Sequence, residues 1–81
     1  MTTVVVQYAH DPPLTDEALA AMVATLTPCL EVYEVATRQR YVSLDRRTSI
    51  AIYEAPDASR VTTAHGINRI GYAKLWPVTA V

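Results

Sequence analysis

Tyr41-Val42-Ser43-Leu44-Asp45-Arg46-Arg47-Thr48-Ser49-Ile50-Ala51-Ile52-Tyr53 reads as two strands joined by a polar turn. Ser49 to Tyr53 alternates small or aromatic residues with aliphatic ones, the period of a strand with two different faces. Asp45-Arg46-Arg47-Thr48 between the two runs supplies the turn, so the middle of the chain is a hairpin. On its upstream side the strand-like residues Val32, Tyr33, Val35, Tyr41 and Val42 extend the first arm over Glu31 to Leu44, long enough to bend or bulge near Ala36. On that arm, alternation places Glu34, Arg38 and Arg40 on one face and Tyr33, Thr37, Gln39 and Tyr41 on the other, unless a bulge intervenes. Downstream, Ala55-Pro56-Asp57 ends the second arm, with Asp57 placed to cap a short helix. Ala58, Val61 and His65 share one stripe of that helix before Gly66 supplies a stop.

Two further strands and a helix flank this centre. Val4-Val5-Val6-Gln7-Tyr8 is β-branched and aromatic and is closed by Asp11-Pro12-Pro13, which predicts a first strand. Thr15 is a helix cap, Asp16 and Glu17 suit the positive end of the helix dipole, and Leu19, Met22, Val23 and Leu26 recur at helical spacing. Pro28 is expected to stop that helix, because its ring cannot continue the hydrogen-bond ladder. Near the end, Tyr72, Lys74, Trp76 and Val78 alternate with Ala73 and Leu75 as the two sides of a last strand, and Pro77 marks an edge or a strand end. The order β-α-β-β-α-β predicts a single α+β domain over residues 1–81, of the ferredoxin-like type. Two helices cover one face of a four-stranded antiparallel sheet and leave the other face bare. A bare face mixing aromatic and polar residues predicts a homodimer, closed face to face as a dimeric α+β barrel with an interior cavity.

Composition narrows the function classes. Eighty-one residues hide only roughly 60–65% of their unfolded surface, so the core is thin and a partner chain would help. With 51% hydrophobic and 19% charged residues the chain is globular. Seven Lys and Arg against eight Asp and Glu give a net charge of −1, which disfavours nucleic acid and an anionic membrane as partners. No apolar run approaches a membrane span. The start, Met1-Thr2-Thr3 before three valines, lacks a basic region and a cleavage site, so a cytoplasmic location is expected. The lone Cys29 cannot staple its own chain, consistent with a reducing compartment.

The second half of the chain carries a resemblance. Tyr41-Val42-Ser43-Leu44-Asp45, then Ile52-Tyr53-Glu54-Ala55-Pro56-Asp57, a short helix ending in Gly66 and Leu75-Trp76-Pro77-Val78 resemble the small bacterial family called domain of unknown function 4242. Tyr53-Glu54-Ala55-Pro56-Asp57 is the most specific piece. The resemblance implies a ferredoxin-like, dimeric fold, and a branch of that family is described as nickel-responsive and nickel-binding. Here His65 stands in place of the small residue usual before the helix-ending Gly, and the histidine-rich end of the first strand is reduced to His10.

Two chemistries compete with a plainer reading. The chain has no Gly-rich phosphate loop, no Gly-x-Ser-x-Gly and no Cys-x-x-Cys, which disfavours nucleotide cofactors. By analogy of fold alone, the cavity of a dimeric α+β barrel suggests cofactor-independent work on a small organic ligand, of the cyclase or isomerase kind. For that reaction His65, His10 and Tyr53 are the catalytic candidates, with histidine moving protons near neutral pH. Arg38, Arg40, Tyr41, Lys74 and Trp76 are the substrate-binding candidates, the cations gripping an acidic or enolic group and the aromatics forming walls. The alternative is nickel held by the imidazoles of His10 and His65, doubled to four in a dimer. The plainer reading makes His10 a solvated loop residue and His65 an apolar-face residue hydrogen-bonded locally, in a non-catalytic binding or assembly subunit.

Overall fold

The computed structural model describes residues 1–79 and 81. Its elements are β1 (Thr2–Ala9), α1 (Asp16–Val32), β2 (Ala36–Val42), β3 (Thr48–Ala55), α2 (Ala58–Ile67) and β4 (Lys74–Val78). The sheet order is β2-β3-β1-β4, and every pairing is antiparallel. This is the ferredoxin-like β-α-β-β-α-β arrangement expected from the sequence.

Pairing decides which side chains share a face. Val4 lies opposite Tyr53, Val6 opposite Ala51 and Tyr8 opposite Ser49, and all six are buried. With Leu26 and Leu30 of α1 and Val61 and Ala64 of α2, all of these but Ser49 form the core, so both helices lie on that one side of the sheet. The intervening residues Val5, Gln7, Ile50, Ile52 and Glu54 face the other side and are only half-buried. Trp76, opposite Val5, and Val78, opposite Thr3, join them there.

Both helices begin as their caps predict: Thr15 Oγ1 accepts from the Ala18 amide and Asp57 Oδ1 from the Arg60 amide. Both end differently. Helix α1 runs through Pro28 to Val32, because Leu30, one turn beyond buried Leu26, is itself buried and holds the chain helical past the proline. It closes where the Val35 amide donates to the Leu30 carbonyl with Glu34 left-handed at φ 61°. Helix α2 likewise passes Gly66 and closes through the Ile70 amide and the His65 carbonyl, with Arg69 at φ 54°. Neither Pro28 nor Gly66 is therefore a stop, and β2 starts at Ala36 rather than at Glu31.

A register shift between Thr37 and Gln39 changes the second strand. The extra residue, Arg38, reaches Glu54 on the uncovered face with Nη2 2.7 Å from Oε2, whereas Arg40 pairs with Ala51 and sits on the helix side. The bulge thus separates the two arginines that simple alternation puts together.

Candidate functional site

The polar residues of the helix-covered layer converge on Tyr8. Its hydroxyl lies 2.6 Å from His65 Nε2 and 2.9 Å from the Tyr53 hydroxyl. His65 Nδ1 is 2.8 Å from the Val61 carbonyl oxygen. A carbonyl only accepts, so Nδ1 carries the proton and Nε2 is the acceptor. Tyr8 therefore donates to His65, and its oxygen is left to accept from Tyr53. The chain runs one way, from Tyr53 through Tyr8 to His65 and on to Val61.

Strand alternation and helical spacing build this cluster. Tyr8 and Tyr53 lie on adjacent strands with side chains on the same face, and His65 projects from α2 one turn after Val61. Tyr53 and His65 have no exposed surface, and Tyr8 is 2% exposed. Burial holds the Tyr8 phenol far above its usual range, reinforced by Tyr53 and opposed by the Arg40 cation. Burial also lowers the His65 pKa; the bond to Val61 opposes that shift and Arg40 adds to it. Both groups are neutral at pH 7, the one as a donor and the other as an acceptor. Such a pair suits proton transfer and the stabilisation of a developing oxyanion.

Three more side chains border the cluster. The Arg40 guanidinium stands 5.5 Å from the centre of the Tyr53 ring. Tyr72 precedes β4 and meets the His65 ring edge-on, with centroids 5.6 Å apart, which corrects its expected place beside Lys74 and Trp76. His10 stacks on Tyr8 at 6.4 Å, with Nε2 2.7 Å from Ser49 Oγ. His10 is thus half-buried and hydrogen-bonded, and both histidines flank one tyrosine.

The expected site residues fall into two groups. His65, Tyr53, Arg40 and, through Tyr8, His10 come together on the helix side. Arg38, Tyr41, Lys74 and Trp76 lie on the uncovered face, where Lys74 and Trp76 line an open depression with Gln7 and Leu75. Tyr8, Ser49 and Tyr72 complete the helix-side group. Tyr8 was legible as the inward partner of Val4 and Val6; nothing in the sequence pointed to Ser49 or to the position of Tyr72.

Both ring nitrogens of His65 are engaged, so a metal there would have to displace Tyr8 or Val61. Among the described residues no three His, Cys, Asp or Glu side chains are grouped to hold an ion. No helix among the described residues is long and apolar enough to cross a membrane.

No family model and no curated protein sequence matches the chain. Among solved structures, the protein SCO4226 of Streptomyces coelicolor A3(2) is similar in fold. Its TM-score is 0.84 at 14% sequence identity, over 98% of each chain. At that identity the likeness concerns the fold alone, and the site is defined by this chain's own residues.

Proposed function

We propose that the protein is a homodimeric, small-molecule-binding α+β barrel of the cytoplasm. It performs proton-transfer chemistry on its ligand, a cyclisation or isomerisation, without a bound cofactor. The observation that supports this reading is the one-way chain Tyr53–Tyr8–His65. Packing alone does not call for it, since apolar side chains of similar shape serve a small core about as well as a hydrogen-bonded polar set. In this reading Tyr8 passes its hydroxyl proton to neutral His65 Nε2 as it takes the ligand's proton, and the Tyr53 hydroxyl stabilises the charge that develops on the Tyr8 oxygen.

The dimer is supported by the uncovered face, where Val5, Ile50, Ile52 and Val78 share one side of the sheet with Trp76, itself 38% exposed. A second copy laid face to face removes that apolar surface from water. Sedimentation at micromolar concentration should give twice 8.9 kDa for the protein and 8.9 kDa for Trp76→Asp. A wild-type monomer at every concentration would remove the barrel.

A second reading, a non-catalytic binding or assembly subunit, is favoured by one observation. Among the described residues, every buried polar side-chain atom already has a hydrogen-bond partner. Small cyclisable weak acids, added while the His65 ring signals are followed by NMR, separate the two. The enzymatic reading expects a compound that shifts those signals and is converted, with His65→Ala slowing conversion roughly a hundredfold. Compounds bound but never converted leave the binding subunit.

A further inference from the structure

The buried imidazole of His65 has one neighbour that belongs to no helix or strand. Tyr72 lies between α2 and β4, exposed by 39%, yet its ring covers the edge of His65. The segment is pinned on either side. The Ile70 amide donates to the His65 carbonyl at 2.9 Å and the Ala73 amide to the Gln7 carbonyl at 2.7 Å. Among the described residues no backbone hydrogen bond holds the amide of Gly71 or Tyr72 between those anchors. A Cβ at Gly71 would meet nothing within 4 Å, so open space lies beside it. An open depression lined by Ala9, Gly71, Tyr72 and Ala73 lies directly beside this ring.

We propose that Tyr72 is an aromatic lid over His65, and that the place its ring occupies is a binding site for a planar, phenol-like ligand that enters from the Ala9–Gly71 depression. The Tyr72 phenol is the built-in stand-in for that ligand. Around the same imidazole Tyr53 is edge-on at 5.9 Å and Tyr8 lies at 5.7 Å, so a ring replacing Tyr72 completes a box of three aromatic walls about His65. A flat aromatic ring can make the same edge contact there, whereas a saturated ring lacks the π-face that contact uses. The site rests on the proton-handling role given to His65, but its occupation does not require turnover.

The test uses p-cresol, which is the tyrosine side chain as a free molecule, and cyclohexanol as its saturated counterpart. In full-length Tyr72→Ala, p-cresol at roughly millimolar concentration should shift the His65 ring signals saturably, and cyclohexanol should not. Tyr72→Phe, which keeps the ring, should bind p-cresol at least roughly tenfold more weakly. Equal responses to both probes, or no response to p-cresol, would overturn the lid. Should Tyr72→Ala not fold, wild-type protein with 2-naphthol decides instead. Joint displacement of the Tyr72 and His65 signals supports the site, and a still Tyr72 refutes it. Failure of the proposed chemistry looks different, since p-cresol would then bind while no weak acid is converted.

Discussion

The two faces of the sheet use the same strands for opposite purposes. On the helix side, Tyr8, Tyr53 and His65 place polar atoms in a fully closed layer and satisfy them with one another. On the other side, Val5, Ile50, Ile52 and Trp76 place apolar atoms where they remain partly in water. Each inversion of the usual distribution is informative. Buried polarity marks where chemistry can be prepared, and exposed apolarity marks where another surface belongs. Adjacent residues such as Ile52 and Tyr53 belong to different faces because strand side chains alternate.

That contrast is sharpest at those two neighbours. Tyr53→Ala should cost about 3–5 kcal/mol in urea unfolding, by opening a cavity and stranding Tyr8. Ile52→Ala, measured on the monomeric Trp76→Asp background, should cost less than half as much, because its side chain is not enclosed. Equal losses would mean that the uncovered face is packed as tightly as the core.

Removing one hydroxyl tests the chain itself. Tyr8→Phe keeps the ring but leaves His65 Nε2 without its donor and Tyr53 without its acceptor, an expected loss of about 1–3 kcal/mol. A neutral result in thermal and urea unfolding would show that water or a rearranged side chain replaces the phenol at no cost.

Acid probes the same layer without mutation. Burial holds the folded-state pKa of His65 below the unfolded value of about 6.5, so the unfolded chain binds the extra proton first. Stability from this group is complete above about pH 6.5 and declines as the pH falls below it, by at most about 1.4 kcal/mol per unit until the folded-state pKa is reached. The urea midpoint should fall over that window, and less so in His65→Gln. A midpoint that does not fall below pH 6.5 would place His65 outside the closed layer.

The smallest effects belong to the surface. Arg38 holds the Glu54 carboxyl below the usual carboxylate range across the uncovered face, but both groups are open to solvent. Arg38→Ala should leave stability almost unchanged, and any change should shrink further in high salt. Arg69→Gly, which relieves a left-handed residue just after α2, should stabilise by roughly 0.5–1 kcal/mol. Thermal unfolding of the two variants checks both outcomes.

The fold was legible because each element carries its own local signal. Val4 to Tyr8, the Thr15 and Asp57 caps and the hairpin around Asp45 all hold in the structure. The misplaced boundaries share one cause, tertiary packing that overrides a breaker: buried Leu30 carries α1 through Pro28, and Glu34 and Arg69 take the left-handed positions that glycine usually fills. The site was half legible. His65 and Tyr53 were found as a helix-stripe histidine and a strand aromatic, whereas the division of Arg38 from Arg40 depends on the position of a bulge that the length of the arm placed only near Ala36 and that the structure has between Thr37 and Gln39. Tyr72 was out of reach because alternation has no meaning before the strand begins at Lys74.

The direction of the hydrogen-bond chain carries the chemical reading, and nitrogen-15 NMR of the histidine rings measures it directly. The expected spectrum at pH 7 shows His65 neutral with its proton on Nδ1 and Nε2 acting as an acceptor, a state that persists on acidification below about pH 6.5. A proton on Nε2, or a His65 ring already charged at pH 7, would reverse the chain and contradict it.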